Sequence, residues 1–234
     1  MISRLRRVLG AAVVCVLLPM GGAAASGFSG VVTLTSEYIY RGLSMSDGNP
    51  ALQLGLDYEH DSGLFAGAWA STLNLTTAVG RRDLELDFYA GYHLAPDARW
   101  SATATLLRYT YPDASGSHSY DHNEILLGLT VFDHYSLEFG YTNDLYGLDV
   151  VGKHWEARTE WPIANVWVLS GALGGNDLSD LGVPHYLHWD IGASARVQRF
   201  TLDLRWYDNE PPDAGLISAL SAGSQLVLSV SVAF

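Results

Sequence analysis

Asp83-Leu84-Glu85-Leu86-Asp87-Phe88-Tyr89-Ala90-Gly91-Tyr92-His93-Leu94 is the stretch from which the fold can be read. Leu84, Leu86, Phe88, Ala90, Tyr92 and Leu94 share one side of a period of two, and Asp83, Glu85, Asp87 and His93 share the other. A β-strand sends successive side chains to opposite faces, so one face here requires apolar surroundings and the other requires water. The pattern recurs with Leu52, Leu54, Leu56 and Tyr58 against Gln53, Asp57 and Glu59, and with Trp155, Ala157, Thr159 and Trp161 against His154, Glu156, Arg158 and Glu160. It returns with Leu187, Trp189, Ile191 and Ala193 against His188, Asp190 and Arg196, then with Phe200, Leu202, Leu204 and Trp206 against Asp203 and Arg205. About twelve such segments of roughly 9 to 13 residues follow one another, the length a tilted strand needs to cross a bilayer. The segment Trp100 to Tyr111 alternates weakly and is oriented by Arg108. At mid-membrane a lipid-facing arginine costs roughly 2–4 kcal/mol, so Arg108 is expected to face the lumen.

The connections support the same reading. Short turns at His60 to Gly63, Ala95 to Ala98, Asp133 to His134, Pro162 to Asn165 and Gln198 to Arg199 alternate with longer ones. The longer ones are Gly42 to Pro50, Thr76 to Arg82, Pro112 to Ser119, Asp144 to Gly152, Gly174 to Pro184 and Glu210 to Ala222. Short turns on one side of the membrane and longer loops on the other are a property of outer-membrane barrels. The expected fold is an all-β, transmembrane, antiparallel up-and-down barrel of about twelve strands, with its long loops outside. Tyr38, Tyr40, Trp69, Tyr109, Tyr111, Tyr141, Trp155, Trp161 and Trp206 lie near strand ends and are expected as interfacial girdles. The alternative is that Trp and Tyr simply favour strands.

Ahead of the barrel, Arg4, Arg6 and Arg7 precede an apolar run from Val8 to Leu18 and then Ala23-Ala24-Ala25. This is the pattern of a cleaved signal peptide over residues 1–25, leaving 26–234 as the barrel, and the run falls short of the roughly 20 residues of a spanning helix. Cys15 lies inside the run, so the mature chain is expected to have no disulfide, thiolate metal site or cysteine nucleophile. Three of the 13 basic residues leave with the leader and none of the 25 acidic ones, giving roughly −15 and excluding a nucleic-acid partner.

Thr35-Ser36-Glu37-Tyr38-Ile39-Tyr40-Arg41-Gly42, Asn49-Pro50-Ala51-Leu52-Gln53 and Ser62-Gly63-Leu64-Phe65-Ala66-Gly67-Ala68-Trp69-Ala70-Ser71 resemble the opening of the TorF porin family. Leu84 to Tyr92, Tyr109-Thr110-Tyr111-Pro112, Glu124, Tyr141-Thr142-Asn143-Asp144 and the terminal Phe234 extend the resemblance over nearly the whole mature chain; Leu73, where an Asn is common in relatives, departs from it. The resemblance implies an outer-membrane barrel, and it names no substrate and no catalytic residue. It also implies that the last strand, Ser224 to Phe234, ends in the aromatic signature by which the barrel-assembly machinery recognises and inserts such chains.

Asp57, Glu59, Asp83, Glu85, Asp87, Glu124, Glu138, Glu156, Glu160, Asp190 and Asp203 are expected on the inner wall, against Arg108, Arg158, Arg196 and Arg205. Acids in excess around a water-filled lumen favour cations, which reads as a narrow porin-like channel for ions or small solutes. The competing reading pairs these charges across strands, bracing or blocking the lumen as a structural or adhesive barrel. Twelve strands lie between filled eight-stranded barrels and open ones of about 16 to 18. A lipid hydrolase is a third possibility, disfavoured because His93, His154 and His188 all face inward and no nucleophile motif is present. His118 and His122 are read as solvated loop residues; no cofactor or metal is expected.

Overall fold

The computed structural model describes residues 26–77, 80–95, 99–112, 119–181, 183–210 and 223–234. Residues 1–25, expected as a signal peptide, His118 and much of the long connections lie outside the described residues. In chain order the strands are β1 (Gly27–Thr35), the short β2 (Ile39–Tyr40) and β3 (Leu43–Ser44), β4 (Ala51–Glu59), β5 (Leu64–Thr77), β6 (Gly80–Leu94) and β7 (Trp100–Thr110). They continue as β8 (His122–Val131), β9 (Tyr135–Thr142), β10 (Gly152–Pro162), β11 (Trp167–Leu178), β12 (Val183–Val197), β13 (Phe200–Asn209) and β14 (Gln225–Ala233). All except β2 and β3 form one closed, antiparallel, twelve-stranded barrel. Closure falls on β1, where Leu34 faces Leu52 of β4 on one side and Val230 of β14 on the other. A closed ring leaves no strand edge unpaired, which an apolar solvent demands.

The period-2 pattern sets the two faces. Along β13, Leu202, Leu204 and Trp206 are exposed while Thr201, Asp203, Arg205 and Tyr207 are buried in the interior. Leu34, Leu54, Leu106, Ile125, Leu127, Phe139, Leu173, Ile191 and Leu228 continue the exposed apolar belt around the ring. Soluble proteins seldom display apolar patches above a few hundred Å², so this belt calls for a lipid environment. Phe28, Tyr58, Trp100, Tyr135, Trp161, Trp167 and Phe200 are exposed at the end that carries the short turns. This is a girdle. Tyr141 and Trp206 are exposed towards the other end, and Trp155 faces outward, opposite in parity to the buried His154.

Three expectations need correction. Tyr38, Tyr109 and Tyr111 are buried inside the barrel, with Tyr40 and Trp69 packed against them, so these five are interior residues and not girdle members. Arg108 faces outward: β7 buries Thr103, Thr105, Leu107 and Tyr109, and Arg108 stands across from the exposed Phe88. It sits two residues from the end of β7, away from mid-membrane, with its side chain 43% exposed and 3.2 Å from Asp121. Proximity to water removes the cost on which the inward assignment rested. Asp83 is also off the inner wall, because β5 and β6 slip register between Thr72 and Leu75. The slip buries Arg82 over the Tyr120 ring and leaves Asp83 exposed, 2.6 Å from Arg81.

Candidate functional site

The long connection after β1 does not stay outside. Ile39 pairs with Ser44 and Tyr40 with Leu43, joined by the two-residue turn Arg41-Gly42 with φ of 50° and 80°. Positive φ at both central residues is the type I′ geometry that matches the twist of a tight hairpin. Gly42 adopts it freely, whereas Arg41 pays about 1–2 kcal/mol for the left-handed conformation, so something at the tip must hold it there. Arg41 Nη2 lies 2.8 Å from Glu124 Oε2 on β8 and 3.1 Å from His154 Nε2 on β10. Tyr186 of β12 donates to the Arg41 carbonyl at 3.1 Å, and Asn209 of β13 donates to the Gly42 carbonyl.

In a twelve-membered ring, β8 to β10 lie opposite β1 and β4. The hairpin therefore spans the lumen from its root to the far wall. At the root, Met45 N–H donates to the Tyr38 carbonyl at 2.8 Å and Asn74 N–H to the Met45 carbonyl at 3.1 Å. Apolar contacts hold its flanks. Tyr38 and Met45 join the buried cluster with Phe65, Tyr89, Leu107 and Leu126; Leu43 packs with Leu145, Leu178 and Tyr186; Ile39 packs with Tyr207 and Val227. Burial holds the Tyr38 and Tyr40 hydroxyls well above the ordinary tyrosine range, so both stay protonated, and Tyr38 donates to Glu85 at 3.0 Å.

Around the hairpin the inner wall is laid flat. His154 lies over Gly140 of β9, which puts Nδ1 3.3 Å from Glu124 and Nε2 3.2 Å from Glu138; a Cβ at Gly140 would sit 1.9 Å from the ring. Tyr89 lies over Gly67 of β5 and hydrogen-bonds Asp57 of β4, and Arg205 lies over Gly192 of β12 to donate to Ser170 of β11 at 2.7 Å. Gly140, Gly67 and Gly192 each clear a lane for the bulky side chain of the next strand.

Charges on the wall from β10 to β13 form a ladder. Arg158 is 3.0 Å from Glu156 and 2.9 Å from Asp190, and Arg205 bridges Asp190 to Asp203, the latter at 3.1 Å. On the wall from β4 to β6 the acids have tyrosines where the other wall has arginines: Tyr89 serves Asp57, while Tyr38 and Tyr111 serve Glu85. Of the expected lumen residues, Asp57, Glu59, Glu85, Asp87, Glu124, Glu138, Glu156, Arg158, Glu160, Asp190, Arg196, Asp203 and Arg205 take inward strand positions. Among the described residues no group of three or more His, Cys, Asp or Glu is placed to hold a metal. His122, read as a loop residue, is buried at the start of β8 and stacked on Tyr109 at 4.5 Å.

A family model described as "Bacterial protein of unknown function (Gcw_chp)" matches residues 20–232. The chain belongs to the Gcw_chp family. No curated protein matches it. The Gcw_chp chain shares its fold with the KdgM porin at a TM-score of 0.56 and 8% identity, over 88% of this chain and 99% of that one. A NanC porin structure gives 0.56 at 11% identity, over 89% and 99% of the two chains. The COG4313 outer membrane channel from Pseudomonas putida F1 gives 0.53 at 11% identity, over 92% and 98%. The TorF resemblance is thus supported as far as a porin-like barrel, and the family that the chain itself carries is Gcw_chp. Sequence reasoning missed Tyr38 and Arg41 as interior residues. The only signal was Arg41-Gly42, a two-residue turn between Tyr40 and Leu43 that reads as a hairpin once both flanks are taken as strands.

Proposed function

We propose that this chain is an outer-membrane channel for ions and small solutes, cation-preferring, with the Ile39–Ser44 hairpin as its constriction. One observation carries the reading: a closed barrel with a lipid-compatible exterior encloses a wall on which, among the described residues, Asp57, Glu59, Glu85 and Asp87 have no arginine in ion-pair contact, while Arg158 and Arg205 stand in the ladder on the other wall. The summed field of these acids concentrates cations in the lumen. The fold shared with porins and an outer membrane channel supports it. A structure of the KdgM porin carries the description "in complex with disordered oligogalacturonate". Such a polyanion is a poor match for this wall, so the proposed solutes differ in charge. The last strand's Phe234, exposed and paired through its backbone to Gly30, is proposed as the contact read by the barrel-assembly machinery.

The refolded mature protein in a planar bilayer under a salt gradient tests this. Discrete openings with a cation-selective reversal potential, shifted towards neutrality by Asp57→Asn with Glu59→Gln, are expected. A folded, heat-modifiable barrel that never conducts overturns the channel. The three apolar clusters that seat the hairpin favour a second reading in that case, a closed barrel in which the hairpin is a permanent plug.

A further inference from the structure

We propose that Asp87 is the binding site for a weakly hydrated monovalent cation of the ammonium class, primary or methylated, held beneath the hairpin. The inference rests on the channel reading and adds a solute class to it. Asp87 lies on the inward face of β6, directly across from Trp69 of β5 and Tyr109 of β7. It is 4% exposed, and its Oδ1 has no hydrogen-bond donor. Among the described residues it is the one carboxylate with an enclosed oxygen left in this state. Four other buried carboxylates of the wall are served: Glu85 by Tyr38 and Tyr111, Glu124 by Arg41 and Tyr109, Asp190 and Asp203 by Arg205.

An enclosed carboxylate without a donor is neutralised either by taking up a proton or by a cation in contact with it, so a cation bound there displaces that proton and supplies the missing partner. The surroundings select which cation. Trp69 and Tyr109 flank Asp87 in the same row, Tyr89 follows it on the same face, and Tyr38 packs edge-on against Trp69 at a centroid distance of 5.6 Å. Aromatic faces attract an ammonium through the ring quadrupole and offer few oxygens to replace the water shell of a small hard ion. A carboxylate among aromatic rings therefore favours ammonium, methylammonium or tetramethylammonium over sodium or a divalent ion. Glu85, two residues along the strand, has both oxygens held by the two tyrosines and does not compete for the cation.

The test uses the folded full-length mature barrel in detergent and in bilayers, with tetramethylammonium chloride and methylammonium chloride as probes and sodium chloride at equal ionic strength as the reference. Saturable tryptophan fluorescence change with the ammonium salts, and concentration-dependent reduction of the sodium current, are expected. Asp87→Asn should weaken both about tenfold or more, the worth of one charge-assisted contact. Asp87→Glu should restore most of the binding, and Trp69→Leu should weaken it while leaving folding, judged by heat modifiability, unchanged. Equal responses to sodium and the ammonium salts, or binding that Asp87→Asn leaves intact, overturn the proposal. Saturable binding in a barrel that never conducts would leave the site standing and sink the channel; conduction indifferent to the ammonium salts and to Asp87 would do the reverse.

Discussion

Replacing Arg41 by Ala is the most direct perturbation of the hairpin. Removing one member of a buried ion pair costs roughly 3–5 kcal/mol when the remaining charge is stranded. Here Arg41 is 17% exposed, and Glu124 keeps Tyr109 as a donor with His154 beside it, so the loss should fall to about 2–3 kcal/mol. The hairpin keeps Ile39, Leu43 and Met45, each worth about 1.5–3 kcal/mol in its apolar cluster. It should therefore stay docked most of the time and undock about 30 to 150 times more often. In single-channel records this is a matching rise in excursions to a higher conductance level, with the main level unchanged. Arg41→Gly should be milder than Arg41→Ala, because glycine takes the positive φ without strain. Combining Arg41→Ala with Glu124→Gln should add little to either change alone. Excursions as rare in Arg41→Ala as in the parent, or effects of the two changes that add within about 0.5 kcal/mol, would refute the latch.

Gly140→Val puts carbon where the His154 ring lies, so it should push the imidazole off Glu124 and Glu138 and lower stability by about 1–3 kcal/mol, read from the urea midpoint of the refolded barrel. Arg205→Ala strands Asp203 and leaves Asp190 with Arg158 alone, and should cost about 3 kcal/mol by the same assay, more than any single change to the exposed Arg81–Asp83 pair. Arg108→Leu should be nearly neutral, within about 1 kcal/mol, whereas Leu204→Arg at the lipid face should cost roughly 2–4 kcal/mol. A large loss at Arg108 would return it to the lumen. Phe234→Ala should leave refolding in detergent intact yet reduce the amount of barrel assembled in cells, measured as the heat-modifiable fraction in outer membranes.

The strands, their number and their two faces were legible in the chain alone; the alternation of short and long connections was legible only in part, because β5 and β6 run on through most of the expected loop Thr76 to Arg82, and β11 and β12 through much of Gly174 to Pro184. Each depends on local geometry: the pleat forces a period of two, and a lipid exterior makes that period visible as Leu202, Leu204 and Trp206 against Asp203 and Arg205. The same logic placed thirteen of the expected wall residues on inward positions, from Asp57 to Arg205. It failed where a strand's phase or depth is set by its neighbours. Asp83 sits past a slip between β5 and β6 that no residue of β6 announces, and Arg108 was oriented by a mid-membrane cost that does not apply two residues from the end of β7. Tyrosines at strand ends carry no label telling lipid from lumen, so Tyr38, Tyr109 and Tyr111 could be sorted only by closure. Closure alone brings β8, β9 and β10 opposite the root of the first long connection. The pairing of Arg41 with Glu124, 83 positions apart, is thus a product of the ring and not of the chain.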